Sequence, residues 1–321
     1  MKRMTIAGVA LTLLAPFLVG AQTYPDKPVR IIAPFPPGGT TDTMCRIVAQ
    51  RLTESLGKQV VVENRPGAAG KIGHEAAAHA APDGYTLLLT AKGSLVTNRF
   101  LYKNLGYDPV NDFAPITVIA SAAPVMVIHP SLPVHTVKEF VALARTRPSQ
   151  LNFGSGGVGT TSHVIGEVFK AATGVKIVHV PYKGGGVAIN DLIAGHIELS
   201  FSDMVPAVPH IKSGRLRGLA VTTPERSPTI PEVPTMAESG VKEPFPQQWW
   251  GLAAPRGTPA AIVDRINGDM AQMIQRPEIK ARFTDLGVFT AHTTPERMLE
   301  MIKSEAPEMQ KYLQMAGVQP E

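Results

Sequence analysis

A single cysteine, Cys45, in 321 residues leaves no partner for an internal disulfide, and its position far from the start rules out the acylated first residue of a lipoprotein. Stability must come from a packed core instead. Aromatic residues make up only 6%, and no basic run interleaves with them, so a nucleic-acid surface of stacked rings and cations is excluded as a main feature. Net charge is a modest +5, and two of those positive charges, Lys2 and Arg3, belong to the first few residues. Past residue 21 no apolar run is long enough to cross a bilayer. With 44% hydrophobic residues the chain can still bury one large or two medium cores.

The longest apolar stretch, Ile6 to Gly20, follows Met1-Lys2-Arg3 and ends on the small residues Val19-Gly20-Ala21. This basic, apolar, small-residue order is that of a secretory signal occupying residues 1–21, with cleavage predicted after Ala21 and export of the mature chain.

The mature sequence alternates short β-branched runs with helix-length amphipathic stretches. Val29 to Ala33, Val60 to Glu63 and Tyr85 to Thr90 read as strands, with helices near Asp42 to Leu56 and Gly70 to Ala80. A second βα series restarts at Pro124 to Ile128 and continues through Leu151 to Phe153, Lys176 to Val180, Ile197 to Phe201 and Leu216 to Val221. It predicts a second parallel sheet. After a proline-rich bridge from Pro224 to Pro246, one more strand at Trp249 to Ala253 precedes a largely helical stretch from Thr258 to Tyr312. Those last helices have no sheet of their own, so they are expected to return to the first lobe. The predicted organisation is α/β and two-lobed, with lobe 1 formed by 22–122 plus 226–321, lobe 2 by 123–225, and a hinge of two crossings near 119–126 and 219–226.

Two glycine-rich loops stand out against this frame. Pro34-Phe35-Pro36-Pro37-Gly38-Gly39-Thr40-Thr41-Asp42 and Gly154-Ser155-Gly156-Gly157-Val158-Gly159-Thr160-Thr161 each follow an apolar run and open onto a helix. Glycine lets a ligand approach the main chain, and the first N–H groups of a helix have no internal partner, so each loop is a backbone anion site. One on each lobe suggests capture of an anion from two sides.

Signatures of chemistry come close and fail. Gly154-x-Gly156-x-x-Gly159 has the spacing of a dinucleotide loop, but Val178 to Pro181 stand where an acidic ribose ligand is needed. His74 and His79 are five apart, about 140° around a helix, whereas paired zinc ligands at i,i+4 lie within about 40°. They read as solvated or capping histidines. No serine has the flanking glycines of a nucleophile elbow, and Ser155 with His163 lacks an orienting acid. Neither glycine loop ends in Gly-Lys-Ser/Thr. Lys183 before Gly184-Gly185-Gly186 is the nearest approach and reads as a surface lysine at a tight turn. No cofactor and no metal are expected.

Several segments together carry a family resemblance: Tyr24-Pro25 with Lys27-Pro28, the first glycine loop, Glu63-Asn64-Arg65-Pro66-Gly67-Ala68-x-Gly70, Pro82-Asp83-Gly84-Tyr85-Thr86-Leu87-Leu88, Phe153-Gly154-Ser155, Pro181-Tyr182-Lys183-Gly184, Leu216-Arg217-x-Leu219-Ala220-Val221-Thr222 and Gly251-Leu252-x-Ala254-Pro255. The chain resembles the substrate-binding receptors of tripartite tricarboxylate transporters, the Bug receptors. The resemblance implies a periplasmic Venus-flytrap receptor, each lobe a mostly parallel sheet flanked by helices, that holds a small organic carboxylate for a membrane transporter or a sensor. Carried over position by position, it implies ligand contacts at Phe35, Pro37, Gly38, Gly39, Thr40 and Asp42 on the first lobe. On the second it implies Ser155, Gly156, Gly157, Gly159, Thr160 and Thr161. Phe35 is expected to wall the cleft, and Asp42 could equally bond loop N–H groups. Lys92 after the third strand, and Ser202-Asp203, are expected toward the distal half of the pocket, and Ser94 is counted among the ligand contacts. An inward Lys92 would favour a dicarboxylate. The alternative reading is an exported α/β hydrolase or transferase using the same cleft.

Overall fold

A computed structural model describes residues 24–242, 244–315 and 317–320. The expected leader lies outside the described residues.

The first sheet is built from β1 (Val29–Ala33), β2 (Val60–Asn64), β3 (Thr86–Ala91), β4 (Phe113–Ala122), β10 (Gln248–Pro255) and β11 (Val288–Thr290), in the order β11-β4-β10-β3-β1-β2. The second holds β5 (Val125–Ile128), β6 (Asn152–Ser155), β7 (Val178–Pro181), β8 (Leu199–Ser202) and β9 (Arg217–Val221), in the order β7-β6-β8-β5-β9. Helices α1 (Thr40–Leu56) and α2 (Lys71–Ala78) belong to the first series, and α3 (Val137–Thr146), α4 (Thr161–Thr173), α5 (Gly185–Ile193) and α6 (Met204–Lys212) to the second. Helices α7 (Ala260–Gln275), α8 (Pro277–Asp285) and α9 (Pro295–Met315) close the chain.

The β/α order expected from the hydrophobic periods is present, but the sheets are mixed. β1 pairs in parallel with β2 and β3, and β6 with β7 and β8, as right-handed crossovers require. β5 runs antiparallel to both β8 and β9, and β10 antiparallel to both β3 and β4. These are the strands that enter from the opposite sheet, so no helical crossover sets their direction.

The first crossing is the short link between β4 and β5. The second is later than expected at 219–226, because Val221 still pairs with Thr235 and exchanges backbone bonds with Pro234 and Met236. The chain leaves the second sheet only between 241 and 248, so a boundary at 225/226 cuts a bonded segment.

Buried Val29, Ile31, Met44, Leu52, Leu87, Trp250, Ile266 and Phe283 pack one face of the first sheet against α1, α7 and α8. A second cluster is continuous from Ile32 and Leu88 through Met298, Ile302 and Met309 of α9 to Val164, Phe169 and Phe201. Helix α9 therefore packs on β4, as expected for the terminal helices, and also reaches α4 of the second sheet. Cys45 is buried in the first cluster, and desolvation pushes its thiol pKa upward, which leaves it inert.

Candidate functional site

Strands β1, β3, β6, β7 and β8 all end facing one cavity of about 750 Å3, including its mouth, between the two sheets. The ends of parallel strands are where open α/β sheets leave a crevice. From the first sheet the walls are Phe35, Pro36, Pro37, Gly39, Thr40 and Thr41, with Ala91, Gly93, Ser94 and Gln248. The second contributes Gly156, Thr160, Thr161 and Ser162, the run Gly184 to Val187, and Ser200 to Asp203 with Pro206.

Four helices, α1, α4, α5 and α6, begin at this cavity, at Gly39, Thr160, Gly184 and Asp203. None of those four residues caps its helix with a side-chain bond. The first-turn N–H groups of each helix lack an intrahelical acceptor, and their dipoles present positive ends to the same volume. An anion placed there would meet donors without any cation having to be desolvated.

The glycines play a different part from the one expected. Gly38 N–H donates to Asp42 Oδ2 at 3.1 Å, and Gly156 N–H to Ser162 Oγ at 3.1 Å. Gly157 N–H donates to Ser155 Oγ at 3.1 Å, and Gly159 N–H to His163 Nδ1 at 3.2 Å. These N–H groups are thus used inside their own loops. The donors left for a ligand are those of the helix first turns, at Thr40–Asp42 and Thr161–His163.

Glycine is needed instead because the two halves approach too closely for a side chain. A side chain on Gly93 would lie 2.9 Å from Gly159 O, and one on Gly184 2.9 Å from Pro36 Cδ. Gly159 combines φ +91° with a neighbour, Asn98 Oδ1, 2.5 Å from any added Cβ. Across the same seam Thr161 Oγ1 donates to Gln248 Oε1 at 2.8 Å.

Of the residues singled out, Phe35, Pro37, Gly39, Thr40, Ser94, Gly156, Thr160, Thr161 and Asp203 line the cavity. Phe35 forms part of the wall, and the Thr40 side chain, which is buried, faces the Asp203 carboxyl. Gly38, Asp42, Ser155, Gly157 and Gly159 stand behind the lining and shape the loops. Asp42 accepts from Gly38 N–H, from Arg46 Nε at 3.0 Å and from Asn64 Nδ2 at 3.0 Å. Burial opposes its charge, but these bonds prevail and hold its carboxyl below the ordinary value.

Ser155 Oγ lies 2.6 Å from His179 Nε2, and His179 stacks on His163 with ring centres 4.2 Å apart. Desolvation is the main cause that lowers His163 to about 4 and His179 to about 3, so both imidazoles are neutral. They support the second loop from behind.

Lys92 does not face the cleft. Its Nζ pairs with Glu305 Oε2 at 2.7 Å beneath α9, and Glu305 also accepts from Trp249 Nε1 at 3.1 Å. A buried lysine needs such a partner, and α9 supplies one that lies more than 200 positions away in sequence. His74, expected at the surface or as a cap, is fully buried between Gly70 O at 2.8 Å and Thr90 Oγ1 at 2.7 Å, and desolvation lowers it to about 4. No group of three or more potential metal ligands occurs among the described residues.

Site residues missed in the sequence include Gly184 to Gly186, Ser162, Ser200 and Gln248. Asp203 is the one ionisable side chain among the described lining residues, and burial pushes its carboxyl up to about 6, against a smaller opposing effect of the Thr40 hydroxyl.

Residues 44–318 match the family described as tripartite tricarboxylate transporter family receptor. The chain is 36% identical to protein BugT of Bordetella pertussis over 288 residues, covering 89% of this chain and 88% of that one. Among solved structures it is similar to R. palustris Rpa4515 with adipate, at 36% identity and a TM-score of 0.91, covering 93% of this chain and all of that one. It is also similar to MatC from Rhodopseudomonas palustris with bound malate, at 28% identity and a TM-score of 0.86, covering 90% and 100%.

Proposed function

Because the chain belongs to the tripartite tricarboxylate transporter receptor family, a family of solute-binding receptors, we propose that it captures a small organic carboxylate in the cavity between its two sheets. The observation that carries this reading is the convergence of four uncapped helix N-termini on one cavity lined with hydroxyls and, among the described residues, no cation. Neutral N–H and O–H donors give a carboxylate charge-assisted bonds without the cost of stripping water from an arginine. The adipate and malate held by the two structural relatives have the matching chemistry.

In this reading the halves close by rotation about the β4–β5 link and the 241–248 crossing, and the ligand N–H donors come from α1 on one side and α4 on the other. The glycine seam makes closure possible by letting main chains meet. The leader at 1–21 directs the chain to the periplasm, where the closed form is presented to a membrane transporter or a sensor. None of the helices among the described residues is long and apolar enough to cross a membrane. The catalytic alternative is disfavoured by Ser155, whose buried hydroxyl is committed to Gly157 and His179 behind the lining.

The test is mass spectrometry of small molecules co-purified with the protein, followed by thermal-shift titration with carboxylates after unfolding and refolding to strip the site. A receptor gains stability at one ligand per chain and leaves the ligand unchanged. Consumption of the ligand, or no stabilisation by any carboxylate, would overturn the reading.

A further inference from the structure

Asp203 has the backbone position of a helix N-cap without doing an N-cap's work. An aspartate there ordinarily accepts from the second or third N–H of its helix, yet Asp203 makes no such bond at the start of α6. Its carboxyl forms part of the cavity wall instead. Lysine, arginine and histidine are absent from the described lining and Lys92 is committed to Glu305, so no side-chain cation stands in the wall to offset the charge of Asp203. Around Asp203 the wall is Phe201, Ser202 and Pro206, which supply a ring, a proline and a hydroxyl already donated to Asp203 O at 2.9 Å, and from the first sheet the Thr40 hydroxyl faces the carboxyl. One hydroxyl leaves most of the carboxylate's acceptor capacity to be met by a donor from the ligand, and a second ligand carboxylate would set like charges together in a partly dehydrated site.

Building on the carboxylate-receptor reading, we propose that Asp203 reads the far end of the ligand and selects a hydroxyl or ammonium donor there over a second carboxylate. The preferred ligand class is therefore a hydroxy or amino carboxylate. This replaces the dicarboxylate preference that an inward Lys92 would have given.

The experiment is calorimetric titration at pH 8 of the full mature chain, refolded to strip its ligand, with two matched series. One is adipate, 6-hydroxyhexanoate and 6-aminohexanoate; the other is succinate, 4-hydroxybutyrate and 4-aminobutyrate. Within the series that binds, the parent should prefer a donor-ended member over the dicarboxylate at least tenfold. Asp203→Asn, checked for an unchanged melting temperature, should shrink that preference about tenfold, chiefly by gaining affinity for the dicarboxylate. A parent that binds the dicarboxylate as tightly as its donor-ended partners overturns the proposal without reference to any variant. So does an Asp203→Asn variant that shifts all three ligands equally. If no member of either series binds while another carboxylate does in the thermal-shift assay, the same comparison is made with that compound's hydroxyl- and carboxylate-ended forms. Failure of every carboxylate removes the receptor reading itself, and this inference with it.

Discussion

The two glycine loops do the same job with opposite chemistry. The first is held by a charge: Asp42 ties Gly38, Arg46 and Asn64 together, and Asn64 also donates to Phe35 O at 3.0 Å. The second is held by neutral groups, with Ser155 on His179, His163 under Gly159, and Thr160 Oγ1 donating to Gly157 O at 2.7 Å. The difference follows from where the braces sit. Arg46, the cation beside Asp42, is largely exposed, whereas the second loop's braces are backed by Phe153 and a stacked pair of imidazoles. Solvent access allows the first a stabilised carboxylate; the second must do without charge. A receptor built this way has two supports that fail under different conditions.

The largest way to break the symmetry is to add a side chain on each loop in turn. Gly159→Val meets both an unfavourable positive φ and Asn98, so it should lower the melting temperature and abolish ligand binding together. Gly39→Val has neither penalty, its Cβ lying 3.9 Å from Gly186 N, so it should fold normally while its outer methyls block closure and cut affinity about 100-fold or more. Calorimetric titration alongside thermal melting separates the two; a normal melt for Gly159→Val would show that the seam tolerates bulk.

Next in size is removal of the charged brace. Asp42→Ala leaves Gly38 N–H and Asn64 without their acceptor and should cost about 1–3 kcal/mol in urea unfolding, with Asp42→Asn recovering part of it. Full recovery in Asp42→Asn would mean that the carboxylate's charge contributes nothing.

Acidification should then divide the loops in time. His163 and His179 have folded pKa values of about 4 and 3, below the ordinary 6.5, so folding favours their neutral form. Their contribution is complete above pH 6.5 and is lost progressively as pH falls toward 4, with buried His74 acting in the same sense. Asp42 is shifted the other way for a carboxylate: its contribution holds above the ordinary aspartate value and fades only as pH falls through its lowered one. Hydrogen exchange at pH 5 should therefore rise first in 154–163 and only later in 36–42. The reverse order would contradict the assignment of the braces.

The smallest effect is expected from Lys92→Met. Its ion pair lies outside the cavity wall, so ligand affinity should change less than about twofold and mono- against dicarboxylate selectivity not at all, while Glu305, left with Trp249 Nε1 but without its cation, lowers stability modestly. A selective loss for dicarboxylates would return Lys92 to the site.

The comparison also shows what could be read in advance. Both loops were visible because glycine runs at the junction of a β-branched run and an amphipathic stretch are a local pattern. The residues that line the cavity but escaped notice are set by tertiary approach. Gly184 to Gly186 looked like a failed phosphate loop, since only the fold shows that they meet Pro36 and Gly39 of the other half. Strand direction in β5 and β10 leaves no trace in composition. Lys92 and His74 were misplaced for one reason: whether a polar side chain can be buried depends on Glu305, or on Thr90 and Gly70 O, finding it in space.

The two tryptophans give the molecule a way to be watched. Trp249 and Trp250 follow Gln248 directly, the residue that takes the Thr161 hydrogen bond across the seam, and both indoles are buried, with Trp249 bonded to Glu305. No other indole contributes background emission, since the chain holds only these two. Intrinsic fluorescence of the unlabelled protein should thus report the proposed closure at the seam, fast enough for stopped-flow mixing to separate it from ligand encounter.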